Sequence, residues 1–145
     1  MASRRKGRVL AFQALYCWEA TQVKVEELMS FLWLEEEKRE ALGEGTSAFS
    51  RLLIAGTIEN IESIDGTIKK HLENWDISRL NRVYLAIIRM SVFTLLYQKE
   101  IDPSIVIDEA ISISKKFGKD DSFRFINGVL DSINKSINTE IKGEK

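Results

Sequence analysis

Residues 102–130 read DPSIVIDEAISISKKFGKDDSFRFINGVL. Asp102 suits a helix N-cap and Pro103 its first turn. Val106, Ala110, Ile113 and Phe117 recur at helical spacing and predict one buried face. Lys115 and Lys116 fall in the last turn, where cations complement the dipole, and Gly118 ends the run. Asp120, Asp121 and Ser122 offer caps for a second helix. Its stripe is Ile126, Val129, Leu130, Ile133 and Ile137. Phe125 falls about 40° outside the nearest member of that stripe. Asp121 lies on the same flank, Gly128 leaves it bare, and Lys119 and Arg124 are close by in sequence. Phe125 therefore has two readings, an edge of the core or an exposed stacking ring beside a carboxylate.

The same periodicity runs outward through the chain. Helices are predicted over 9–22, 25–42, 47–72 and 78–98. The first is apolar nearly all round, which places it centrally in a core or under a partner. Its Tyr16 and Trp18 could reach such a partner, since aromatics with a polar handle are enriched at interfaces. Thr46 or Ser47 is expected to cap the third helix, and 73–76 breaks the pattern after it. Arg89, set in an apolar run, is expected to be buried against a carboxylate, because an unpaired charge there would be costly. A single proline and eight glycines in 145 residues leave little turn chemistry, and no stretch alternates like a strand. The fold class is all-α.

Composition removes several functions. Cys17 and His71 are the sole cysteine and histidine, so a zinc site of the usual ligands cannot be assembled. No internal disulfide can form, which fits a reducing cytoplasm. Phosphate-binding glycine loops, a nucleophile elbow and an EF-hand series are all missing. Asp120 and Asp121 are explained by capping. No catalytic residue, metal or cofactor is expected, and the chain does not read as an enzyme. There is no apolar run of about 18 residues to span a membrane and no secretory signal pattern.

Charge is unevenly placed. The whole chain carries −1, and Arg4, Arg5, Lys6 and Arg8 put four positive charges into the first eight residues, leaving 9–145 at −5. A basic arm on an acidic body suggests a polyanion partner. Arginine-rich segments of this kind fold on binding RNA, although a frayed solvated terminus is an equal reading of the composition. Residues 1–8 are expected to be a flexible basic arm, 9–138 a single helical domain and 139–145 a disordered tail.

Three segments carry a family likeness: RRKGRVLAFQALYCWE, FSRLLIAGTIENIESIDGTIKKHLENW and VIDEAISISKKFGKDDSFRFINGVLD. Together they resemble the bacterial transcription antitermination factors of the NusB family, in order and at the family's spacing over nearly all of 4–133. The resemblance implies two small helical bundles packed into one compact domain. It implies binding of the boxA element in ribosomal RNA leader transcripts. The implied partners are single-stranded boxA RNA, the small-subunit ribosomal protein NusE, other Nus factors and RNA polymerase. Free monomer and homodimer both remain open. Carried over by position, Arg4, Arg5, Lys6 and Arg8 match the arginine-rich RNA-binding arm. Asp121, Arg124 and Phe125 match RNA-facing positions, with Lys119 beside them. Tyr16 matches a first-helix residue near the NusE surface, and Trp18 and Tyr84 are assigned with it.

The chain departs from the family in places. Gly7 replaces a usual alanine, a loss of about 1 kcal/mol in helix propensity. Tyr84 and Leu85 replace an Asp-Arg pair, and Thr94 replaces a glutamate, so the partner-facing helix is expected to lose polar groups. Two other functions are weighed against RNA-binding antitermination. An RNA-binding accessory domain of a ribosomal RNA methyltransferase is disfavoured by the missing cofactor loop. A helical interaction module that never touches RNA is disfavoured by the arm with Asp121 and Phe125.

Overall fold

Asp102 accepts the Ser104 N–H at 2.9 Å, Pro103 opens the first turn and Gly118 donates back to the Ser114 carbonyl at 2.8 Å. The helix read from those signals therefore forms over Pro103–Phe117. In the computed structural model, which describes residues 3–72, 76–119 and 121–143, every regular element is helical. They are α1 (Arg4–Thr21), α2 (Val25–Met29), α3 (Glu36–Ala41), α4 (Glu44–Glu59), α5 (Ile61–Lys70), α6 (Arg82–Tyr97), α7 (Pro103–Phe117) and α8 (Ser122–Gly143), with a 3-10 turn at Ile77–Arg79.

The element buried all round is α6, not α1. Every residue from Leu85 to Leu95 is buried, so α6 is the axis about which the others pack. One bundle is α1, α2 and α4. The other is α5, α6, α7 and α8, and α1 and α4 both lie against α6 and join the two. Ile87, Ile88 and Val92 of α6 meet Leu15 of α1, Ile54 of α4, Ile64 of α5 and Leu130 of α8 in one continuous core.

Several predicted elements differ. The first helix begins at Arg4 rather than residue 9, so residues 4–8 are its opening turns. Ser3 caps it, accepting the Lys6 N–H through Oγ at 3.2 Å. The helix expected over 25–42 is two short ones. Between them Phe31 adopts φ +58°, a left-handed conformation costly for a bulky residue, and this turns its ring into the core at 1% exposure. The orphaned end of α2 is satisfied by the Ser30 hydroxyl on the Glu27 carbonyl and the Trp33 indole on the Leu28 carbonyl.

The helix expected over 47–72 begins at Glu44 and divides at Asn60, whose Nδ2 caps the Gly56 carbonyl at 2.8 Å. Thr46 does not cap it, and its Oγ1 instead accepts the Ser3 N–H at 2.9 Å and ties α4 to the start of α1. The helix expected over 78–98 begins at Arg82, with Asn81 as its cap. Helix α8 continues to Gly143, through most of the expected tail. Asp120, residues 73–75 of the expected break, and residues 1, 2, 144 and 145 lie outside the described residues. Among the described residues no helix is long and apolar enough to cross a membrane.

Candidate nucleic-acid interface

The four basic residues at the start of α1 separate by helical phase. Arg4 and Arg8, one turn apart, both lie over the Phe49 ring of α4, at 4.9 and 5.3 Å from its centroid. Gly7 permits this approach, since a Cβ there would stand 2.7 Å from Phe49 Cδ2. Arg8 is buried, with 7% exposure. Burial pushes its guanidinium pKa down, Glu109 opposes that, and Arg4 adds to it. Arg5 and Lys6 face outward. The Arg5 guanidinium reaches Glu109 of α7 at 3.3 Å while 71% of its side chain stays in solvent. Such an exposed pair is worth at most about 1 kcal/mol and is easily exchanged for another anion.

Across from Arg5 and Lys6, α7 presents Ser112 and Lys116, and α3 presents Lys38. These side chains rim a groove of about 570 Å³ with an aliphatic floor. At the far end of α7, the Lys115 ammonium lies 4.8 Å over the Phe123 ring of α8, and the Arg124 guanidinium stands 5.7 Å from it. Helix α7 thus turns Lys116 toward the arm's cations and Lys115, about 100° round the helix, toward those at the start of α8.

Other expected residues fall differently. Lys119 is exposed, and its carbonyl accepts both the N–H and the hydroxyl of Ser122, at 3.0 and 2.8 Å. Asp121 is exposed, on the flank of α8 that Phe125 shares. Phe125 is half-buried and packs on the core, between its two readings. Phe123 lies about 200° round the helix from Phe125 and shares its face with the cations instead.

The candidate partner residues also divide. Tyr16, 42% exposed, borders a smaller recess of about 220 Å³ with Phe12, Val83 and Phe117. Tyr84 is half-buried, with its ring beside Gly118. Trp18 faces away from Tyr16, and its ring lies 5.9 Å from the Arg89 guanidinium. Arg89 grips Asp65 through two hydrogen bonds, at 2.9 and 2.8 Å, and Glu19 at 2.8 Å. Burial alone would lower the Arg89 pKa, but these carboxylates outweigh it and the net direction is upward. The carboxylate pairing expected for this arginine is present.

The NusB family model matches residues 5–135. The chain belongs to the NusB family. The transcription antitermination protein NusB of Treponema pallidum is 50% identical over 133 residues, which cover 92% of this chain and 93% of that one. The solved structure of T. maritima NusB superposes with a TM-score of 0.81 at 34% identity, over 93% of each chain. A crystal structure of antitermination factors NusB and NusE in complex with double-stranded RNA superposes with a TM-score of 0.82 at 28% identity, over 92% of this chain and 96% of that one.

In this NusB-family chain, sequence reasoning overlooked Phe123, Phe49, Lys38 and the outward role of Lys115 and Lys116. Both lysines had a sufficient local explanation in the helix dipole. The i, i+4 spacing of Arg4 and Arg8 did signal a shared face, but nothing local named Phe49 as its target. Among the described residues, no group of three or more His, Cys, Asp and Glu is placed to hold a metal ion.

Proposed function

We propose that this chain acts in transcription antitermination by binding the boxA element of ribosomal RNA leader transcripts together with NusE, in the cytoplasm on elongating RNA polymerase. The observation that carries the reading is the pair of exposed cation clusters in a NusB-family chain, Arg5, Lys6, Lys38 and Lys116 round the α1–α7 groove and Lys115 with Arg124 at the start of α8. Cations placed this way neutralise phosphates and supply the salt-dependent part of affinity. Phe123 offers a ring to a splayed base beside Lys115 and Arg124, while on the other flank of α8 the exposed edge of half-buried Phe125 and the Asp121 acceptor meet a base amino group or a 2′-hydroxyl. These features favour a single strand, because bases held inside a duplex cannot stack on side chains.

Tyr16, Val83 and Tyr84 make the NusE-facing surface in this reading, while Trp18 supports the Arg89 cluster. Residues 1–8 act as the RNA-binding arm, with its last turns anchored on Phe49. The test is sizing chromatography of the chain with NusE, followed by titration of a boxA-like single strand and of the same sequence as a duplex. Co-elution and tighter binding of the single strand by the pair than by either protein are expected. Two separate peaks at micromolar concentration, with no gain in RNA affinity, would overturn the reading.

A further inference from the structure

We infer that the groove between α1, α3 and α7 is a base-reading subsite, which takes one splayed nucleobase from a single RNA strand whose phosphates lie on the surrounding cations. The inference rests on the RNA-binding function proposed above.

The floor is aliphatic, formed by Val9 and Leu10 of α1, Leu34 and Leu42 flanking α3, and Ile113 of α7. Its volume of about 570 Å³ lies within the roughly 300–1,000 Å³ of pockets that hold small organic ligands. Cations stand on all three walls: Arg5 and Lys6, Lys38, and Lys116. The single anion of the lining, Glu109, is already engaged by Arg5. An occupant is therefore apolar at its centre and negative at its margins.

The RNA-binding function proposed above favours a nucleotide over an acidic peptide of the same charge pattern, and two further groups fit it. The side chains of Gln13 and Ser112 border the groove and make no hydrogen bond to any described residue. The Gln13 amide and the Ser112 hydroxyl offer donors and acceptors together. That mixture matches a base edge. The groove is also continuous with the arm, so a strand held by Arg5 and Lys6 passes its mouth. Helix α3 buries none of its six residues, so the wall that carries Lys38 can adjust to a base without disturbing the core.

The test uses the full chain and a short single-stranded RNA in which each nucleotide in turn is made abasic, with anisotropy read at one fixed salt concentration. In the wild type, the position that enters the groove should lose roughly five- to hundredfold in affinity when its base is removed. Ala41→Trp, at an exposed lip position, should weaken intact RNA by the same factor and become indifferent to that abasic site. Lys38→Ala should keep the abasic penalty and lower the salt slope by about 0.7. Circular dichroism verifies that each variant folds.

Wild-type affinity and an unchanged abasic profile in Ala41→Trp would overturn the inference. An acidic peptide bound there instead would assign the groove to a protein partner. A wild-type chain that bound no RNA at all would remove the proposed function and this subsite together.

Discussion

Arg8 and Arg5 lie three residues apart in the same basic segment, yet the structure gives them opposite roles. Arg8 is buried over Phe49, whereas the Arg5 side chain is 71% exposed and holds only the Glu109 carboxylate. Replacing Arg8 with Ala removes a cation–π interaction worth about 0.5–2 kcal/mol. It also removes the packing of the aliphatic stem, so a total loss of about 1–3 kcal/mol of folding stability is expected. Arg5→Ala should cost less than about 1 kcal/mol, the ceiling for an exposed ion pair.

RNA binding should separate the two in the other direction. Each phosphate of a single strand that is no longer neutralised lowers the slope of log affinity against log salt by about 0.7. Arg5→Ala with Lys6→Ala should thus remove up to about 1.4 of slope while the protein stays folded. Arg8→Ala should leave the slope of the folded fraction nearly unchanged. Urea unfolding and RNA titration across a salt series measure both quantities on the same samples. If Arg8→Ala kept wild-type stability and reduced the slope as Arg5→Ala does, Arg8 would be a phosphate ligand and the anchoring argument would be wrong.

Phe125 is half-buried on the core, so Phe125→Ala should cost about 2–4 kcal/mol of stability, somewhat less than a fully buried ring. Phe123, half-buried but outside the core cluster, should cost less stability on change to Ala than Phe125 and lose roughly 1–3 kcal/mol of RNA binding; the reverse pattern in the two assays would exchange their roles. Arg89→Ala strands the carboxylate of Asp65 and leaves Glu19 only its pair with Arg82 at 3.0 Å. Because each is 21% exposed, the expected loss is about 2–3 kcal/mol, near the lower end for a broken buried pair, and a urea midpoint within error of wild type would contradict it. Asp102 is held below the usual carboxylate range by the Ser104 N–H. A depressed folded-state pKa means that its contribution is complete above the unfolded value of about 3.9 and fades as pH falls through the folded one. Asp102→Asn, which can still accept from Ser104 but cannot titrate, should therefore flatten the melting-temperature decline in that acid range, and an unchanged decline would show that the cap does not contribute.

The sequence made α7 and the start of α8 legible because their signals are local: a capping carboxylate, a proline at N1, a stripe and a terminating glycine. Gly118 was required for a second reason invisible in sequence, since a Cβ there would stand 2.6 Å from Ser122 Oγ and 2.7 Å from the Ser114 carbonyl. The breaks at 30–35 and at Asn60 were not legible. Both interrupt continuous apolar runs, and tertiary packing decides them: Phe31 accepts a left-handed backbone to place its ring in the core. The site shows the same division. Exposed Arg5 and Lys6 were assignable from charge alone, but the burial of Arg8 depends on Phe49, 41 residues away in the chain. The grouping of Lys115 with Phe123 and Arg124 depends on how α7 turns into α8.

The family departures on α6 read differently once that helix is seen to be the axis of the fold. Leu85 and Thr94 stand where the family tends to have charged residues, and the sequence alone suggested that a partner surface had lost its polar groups. Both are in fact turned inward, with exposures of 1% and 3%, and the Thr94 hydroxyl is satisfied by donating to Gln98 Oε1 at 2.9 Å. An apolar or compact side chain at these positions seals the core and subtracts nothing from the outside. Tyr84 alone remains near the proposed NusE-facing surface, half-buried with its ring against Gly118 at the end of α7. That position couples the two proposed surfaces, because Gly118 fixes the turn that leads into Asp121 and Phe123. A partner that pressed on Tyr84 would therefore meet Gly118 at the end of α7, next to the proposed RNA-facing residues, before any change reached the core.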